Sequence, residues 1–278
     1  MQNKLLKNKP SNCHSIGYRP IGVMDSGVGG ISVLNHIRRL LPHESLSYVA
    51  DSRYAPYGSL SSEEITKRCF AIADFLIAQD VKALVVACNT ATAASIQCMR
   101  EKYTLPIIGM EPAVKPAALA SKNGVIGVLA TVGTLKSAQY AALLENHGNG
   151  VSVLAQGCEG LVECVERGEL VQSSTRELLE KFITPLLDGG ADTIVLGCTH
   201  YPFLRPLIES IVGAKVAVID TGKAVSTQLQ KKLSEQLLMA TEESSAEVIF
   251  WTNSPNTQAV TVIQALYGDQ TTVKQLLV

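Results

Sequence analysis

No stretch of this sequence approaches the ~18 consecutive apolar residues of a membrane-spanning helix, and no two cysteines are spaced as Cys-x-x-Cys. The first absence gives no reason to look for a membrane protein. The second removes the usual zinc and thioredoxin-type readings. The seven cysteines (Cys13, Cys69, Cys88, Cys98, Cys158, Cys164 and Cys198) are odd in number and irregular in spacing, which suits reduced thiols better than a disulfide framework. Excess charge is missing too. Twenty-four basic residues against 25 acidic ones leave a net charge of −1, which argues against a protein that binds nucleic acid by neutralising phosphates. The basic opening MQNKLLKNKP lacks a following apolar core, so it reads as a polar tail rather than a secretory signal, and a cytoplasmic protein is expected. What is present is 46% hydrophobic content over 278 residues, enough for a sizeable core and about two domains.

Strand-like runs alternate with helix-like periods. Ile21–Met24 is a short strand. Leu34, Ile37 and Leu41 then recur at +3 and +7, the period of a buried helix face. Ser45–Ala50, Leu84–Ala87 and Pro106–Met110 are further strands, and Ser61 with Glu64 forms a capping box before an amphipathic run. This alternation predicts an α/β fold with mainly parallel sheets. The pattern then restarts: Ile21-Gly22-Val23-Met24-Asp25-Ser26 is echoed by Ile126-Gly127-Val128-Leu129-Ala130-Thr131. Two similar α/β halves are expected, related by a pseudo-twofold, with Pro185 kinking a helix of the second. The boundaries read as a polar N-terminal extension (1–19), a first α/β domain (20–113 plus 222–278) and a second (114–221), with the site in the cleft between them.

One residue type recurs in one setting. Ala83–Thr90 reads ALVVACNT and Thr193–His200 reads TIVLGCTH. In each, an apolar strand ends at a small residue, then cysteine, then a polar pair. A single cysteine there is commonly a buried hydrophobe. Its repetition at a strand end and helix mouth points instead to a pair of acid/base thiols, because free helix amides and the positive dipole end favour thiolates. Asn89 and Thr90 read as N-cap residues. His200 stands two residues after Cys198, where it can tune or relay a proton. Ligands of open α/β sheets bind beyond the carboxyl ends of the strands. Asp25, Asp51, Cys88, Thr131 and Cys198 all stand at such ends. The turn Asp25-Ser26-Gly27-Val28-Gly29-Gly30 also imitates a dinucleotide site, but Ser32 occupies the place of the third glycine and that reading leaves both cysteines unexplained.

The chain resembles the glutamate racemases of the aspartate/glutamate racemase superfamily. DSGVGG (25–30), PYG (56–58), VVACNT (85–90), GVLATVGT (127–134), VLGCTH (195–200) and FWT (250–252) carry the resemblance. It implies interconversion of L- and D-glutamate without a cofactor or metal, supplying D-glutamate for peptidoglycan. Cys88 would act on D-glutamate with help from Asp25, and Cys198 on L-glutamate with help from His200. Substrate contacts map to Asp25, Ser26, Asp51, Tyr57, Gly58, Asn89, Thr90, Thr131, Thr199 and His200. A family glutamate near the second cysteine maps to Glu166, with Glu163 as the alternative. Partners implied are the two enantiomers, a UDP-N-acetylmuramoyl-L-alanine activator and a homodimer, with no nucleic acid or membrane. Rival readings are a racemase of the same superfamily acting on aspartate or another small acid, a two-lobed small-molecule binding module, and a Cys–His hydrolase.

Overall fold

Each strand-like run and the amphipathic segment after it form a strand and a covering helix. The structure, a computed structural model, describes residues 17–147, 150–242, 246–255, 257–268 and 271–278. Residues 1–16 of the polar extension, Cys13 included, lie outside them. The strands are β1 (Ile21–Asp25), β2 (Leu46–Ala50), β3 (Ala83–Val86), β4 (Ile107–Ile108), β5 (Val125–Ala130), β6 (Ser152–Gly157), β7 (Thr193–Leu196), β8 (Ala217–Ile219), β9 (Val248–Thr252) and β10 (Thr272–Gln275). The helices are α1 (Ile31–Leu40), α2 (Ser62–Ala78), α3 (Asn89–Lys102), α4 (Val114–Ala120), α5 (Val132–Leu135), α6 (Ala138–His147), α7 (Leu161–Glu166), α8 (Ser173–Asp188), α9 (Arg205–Val212), α10 (Gly222–Glu235) and α11 (Gln258–Tyr267).

The strands form two sheets, ordered β10-β9-β2-β1-β3-β4 and β6-β5-β7-β8, and every strand pair in both is parallel. The protein is therefore a pair of α/β domains. The orders β2-β1-β3-β4 and β6-β5-β7-β8 are the same permutation, the structural form of the repeat in the text. It extends to single residues. A Cβ on Gly22 in β1 would lie 2.9 Å from Leu84 and 3.1 Å from Leu76 of α2, and one on Gly127 in β5 would lie 2.7 Å from Ile194 and 2.9 Å from Leu186 of α8. The strand and helix pack too closely for a side chain at either place.

β1, β2, β3 and β7 are buried along their whole length, as strands covered on both faces must be, which is why they read as unbroken apolar runs. The largest apolar cluster continues from Leu34 and Ile37 of α1, through Phe250, to Leu161, Ile183 and Tyr201 of the other domain. The capping box forms: Glu64 N donates to Ser61 Oγ at 3.3 Å and Ser61 N donates to Glu64 at 3.0 Å. Pro185 does not interrupt its helix, which runs on to Asp188. It sits in the last turn, where its missing N–H removes the bond to the Lys181 carbonyl and only three residues of helix follow.

Candidate active site

All carboxyl ends of a parallel sheet lie along one edge. Asp25 ends β1, Cys88 follows β3 by two residues, Thr131 follows β5, and Cys198 follows β7 by two. The edges face each other across a small, narrow cavity. Ser26, Tyr57, Gly58, Cys88, Asn89 and Thr90 line it from the first domain, and Thr131, Cys198, Thr199 and His200 from the second. The structure thus brings both thiols and most of the substrate contacts named from the sequence to one space.

The two thiols have different surroundings. Cys88 is itself the N-cap of α3, and its sulfur accepts a bond from the Ala91 amide at 3.4 Å. Asn89 and Thr90, expected as caps, are instead the first two helical residues. The thiol donates to Ser26 Oγ at 3.8 Å. Burial, and then the nearby Asp25 carboxylate, push the Cys88 thiol well above its ordinary value. Asp25 accepts a bond from the Gly30 amide at 2.8 Å through Oδ2, while its buried Oδ1 has no protein partner. Burial raises its pKa to about 6, opposed chiefly by the charge of His200.

Cys198 does not open an α-helix. A turn through His200 leads to a single 3₁₀ segment, Tyr201–Leu204, before α9. Pro202 and Pro206 suit a short tight turn and a late helix start better than a long helix opening at Thr199. The missing helix amides are replaced by a relay. His200 Nδ1 lies 3.7 Å from Cys198 Sγ, and His200 Nε2 lies 2.7 Å from Glu166 Oε1. Burial opposes charge on His200, but Cys198 and Glu166 outweigh it and hold the imidazole well above its usual pKa. Of the two candidate glutamates, Glu166 is the one that meets His200; Glu163 lines an adjoining larger cavity with Cys158 and Glu159.

The remaining candidates fall into two groups. Thr90, Thr131 and Thr134 form a hydroxyl triangle across the domain boundary, with Oγ1 separations of 2.9, 3.1 and 3.0 Å. Asn89 is buried with both amide atoms unpartnered. Such groups are rare in native proteins, and this one borders the cavity. Asp51, by contrast, is fully buried behind the wall. Its oxygens accept from Arg68 at 2.8 and 2.9 Å, from Asn253 at 2.5 Å and from Tyr57 at 2.5 Å, so its acceptor capacity is filled by protein donors, among them the cavity-lining Tyr57. Sequence reasoning did not single out Thr134, Arg68 or Asn253. The position of Asn253 just past β9 was the one available signal.

Two α/β domains thus close on a shared cavity, each contributing a thiol with a titratable side chain near it. Comparison with known proteins gives the class: an amino-acid racemase, an isomerase. The profile of the Asp/Glu/hydantoin racemase family matches residues 21–229. The glutamate racemase of Ectopseudomonas mendocina is 55% identical over 255 residues, covering 91% of this chain and 97% of its own. The crystal structure of glutamate racemase isoform RacE1 from Bacillus anthracis superposes with a TM-score of 0.83 at 34% identity, covering 94% of this chain and 98% of that one. The Escherichia coli glutamate racemase, solved with L-glutamate and the activator UDP-MurNAc-Ala, gives a TM-score of 0.82 at 32% identity over 93% and 98%. The chain belongs to the Asp/Glu/hydantoin racemase family, and within it to the glutamate racemases.

Proposed function

We propose that this protein interconverts L- and D-glutamate by a two-base transfer of the Cα proton. Cys88 as thiolate removes the proton from D-glutamate and Cys198 as thiol delivers one to the opposite face; for L-glutamate the roles reverse. The observation that carries the reading is the pair of sulfurs from equivalent strand ends on one small buried cavity. The Cα–H of an amino acid is a very weak acid because the neighbouring carboxylate resists further negative charge. Oriented donors in a dry site offset that resistance. Asn89, with no partner of its own, and the free amides at the start of α3 are placed to act on a carboxylate. Burial and Asp25 disfavour a Cys88 thiolate. The substrate's ammonium group brings a cation into the same space, and a nearby cation favours the ionised thiol. Asp25 assists the Cys88 side; Glu166 and His200 assist Cys198.

In heavy water the protein should convert either enantiomer of glutamate while placing deuterium at Cα, and should turn over L-aspartate far more slowly. A double Cys88→Ala, Cys198→Ala variant with wild-type activity would sink the mechanism. Preferential turnover of L-aspartate would move the protein to the neighbouring substrate class, and saturation by glutamate without Cα exchange would make it a binding module. In the cell the product would be used in peptidoglycan; rescue of a D-glutamate-requiring bacterial strain by the intact gene, and not by the double variant, tests that role. Activation by UDP-MurNAc-Ala is tested by the rate with and without that compound, and a homodimer by light scattering.

A further inference from the structure

The Gly27–Gly30 turn belongs to the first domain, yet it touches the Cys198 side of the site at three places. The Val28 amide donates to Glu166 Oε1 at 2.7 Å, on the same oxygen that meets His200. A Cβ on Gly27 would lie 1.8 Å from Glu166 Oε1, and one on Gly29 would lie 2.2 Å from His200 Nδ1, so the turn is the surface against which the relay rests. At the start of α1, Ser32 Oγ donates to the Thr199 carbonyl at 2.8 Å, fixing the peptide between Cys198 and His200. The turn is held from below by Tyr48 of β2, completely buried, whose hydroxyl donates to the Gly27 carbonyl at 2.7 Å. Its ring packs on Phe250, with centroids 5.4 Å apart. On the other side, the hydrogen-bond partners that Cys88 has among the described residues, Ser26 and Ala91, belong to its own domain, and the cross-domain bonds of its helix run from Thr90 to Thr131 and Thr134.

We propose that Tyr48 and Ser32 are positioning residues that act chiefly on the Cys198 half-reaction: from the first domain they hold the Gly27–Gly30 turn and the Thr199 carbonyl against the Glu166–His200 relay of the second, whereas the hydrogen bonds that Cys88 itself makes stay within its own domain. The inference rests on the two-thiol reading above. Neither residue lines the cavity. Each acts through the orientation of His200, which in a buried relay depends on every hydrogen bond along the chain.

The test is a primary isotope effect from each enantiomer. Because the equilibrium constant between enantiomers is one, kcat/KM must fall equally from both sides in any variant, so rates alone cannot assign the damage. The Cα–²H bond of L-glutamate is broken by Cys198 and that of D-glutamate by Cys88. Tyr48→Phe keeps the ring and loses one hydrogen bond; Ser32→Ala loses the other tether. Each should lower kcat/KM by about fivefold, the worth of one hydrogen bond. The isotope effect should rise with [2-²H]-L-glutamate and fall with [2-²H]-D-glutamate. Gly27→Ala should shift both in the same directions by more. A slower enzyme with an unchanged ratio of isotope effects, or no loss of rate in either tether variant, overturns the inference. If Tyr48→Phe does not fold, Ser32→Ala decides alone. Full activity in Cys198→Ala would instead remove the two-thiol reading beneath it, so the two failures are distinguishable.

Discussion

Cys88 and Cys198 stand two residues past equivalent strands of two sheets with the same strand permutation, yet the chain leaves them in different ways. After Cys88 it enters a 14-residue helix, so the thiol receives a backbone amide and faces a buried carboxylate. After Cys198 it makes a turn and a 3₁₀ segment, so the thiol receives an imidazole backed by Glu166. Duplication of a fold therefore copies positions and not electrostatics. Strand order fixes where a residue stands. The next few residues decide whether its neighbour is a helix amide or a side chain. A reaction that takes a proton from one face and returns one to the other can use such unlike partners, since each need only move its thiol between two protonation states.

The largest effect should come from removing one thiol at a time. Cys88→Ala and Cys198→Ala should each lower racemisation by about 10³-fold or more, the scale of a lost general acid or base. Their residual chemistry should differ. In heavy water, Cys198→Ala should exchange the Cα proton of D-glutamate with retention and leave L-glutamate untouched; Cys88→Ala should do the reverse. Identical exchange from both enantiomers in either variant would break the assignment of one thiol to each face.

His200→Asn is the next test and acts first on the Cys198 side. It removes the imidazole beside Cys198 and leaves Cys88 with its amide and carboxylate. Activity should fall by about 10²-fold, with the larger primary isotope effect seen from L-glutamate. The charge of His200 is also what chiefly opposes the effect of burial on Asp25. Without it the Asp25 carboxyl should hold its proton to higher pH, and an acid limb of kcat/KM that Asp25 controls should move upward. An acid limb that stays in place, or moves down, would show that the two halves are not electrostatically coupled.

Much of this asymmetry could be read before any coordinates. Alternation of apolar runs and amphipathic segments carried the α/β fold, because strands buried on both faces must be apolar throughout. The repeated cysteine setting carried the pairing of thiols. The symmetry was over-read at Cys198, where a helix mouth was expected and a turn is found. Local pattern does not distinguish a cysteine that caps a helix from one that precedes a 3₁₀ turn, and Pro202 was the available warning. Ser32 was noticed only as a failed dinucleotide glycine, although it supplies a hydrogen bond between domains. Contacts such as Val28 to Glu166, separated by 138 residues, leave no trace in sequence periodicity. The resemblance pointed to Glu166 with Glu163 as the alternative, and the side chain's reach to His200 is what separates the two in space.

The smallest predicted effect bears on what the Cys88 side costs the fold. Asp25 is buried, and its pKa is raised from 3.8 to about 6. Below about pH 4 both the folded and unfolded carboxyl groups are protonated, and burial carries no charge penalty. Between about pH 4 and 6 the folded protein holds a proton that the unfolded chain has released, so stability falls as pH rises. Above about pH 6 the full cost remains, at most about 3 kcal/mol for a shift of this size. Asp25→Asn removes that charge while keeping a group that can accept from Gly30. The introduced amide nitrogen can occupy the unpartnered place of Oδ1, which takes back part of the gain. The variant should therefore be more stable than the parent by about 1–2 kcal/mol at pH 8, with the gain disappearing by about pH 4, and should racemise about tenfold more slowly. Denaturant unfolding at the two pH values checks the sign. A variant equally stabilised at both would place the effect in packing rather than charge, and one destabilised at pH 8 would mean that the Asp25 carboxylate is better compensated in the folded site than its burial implies.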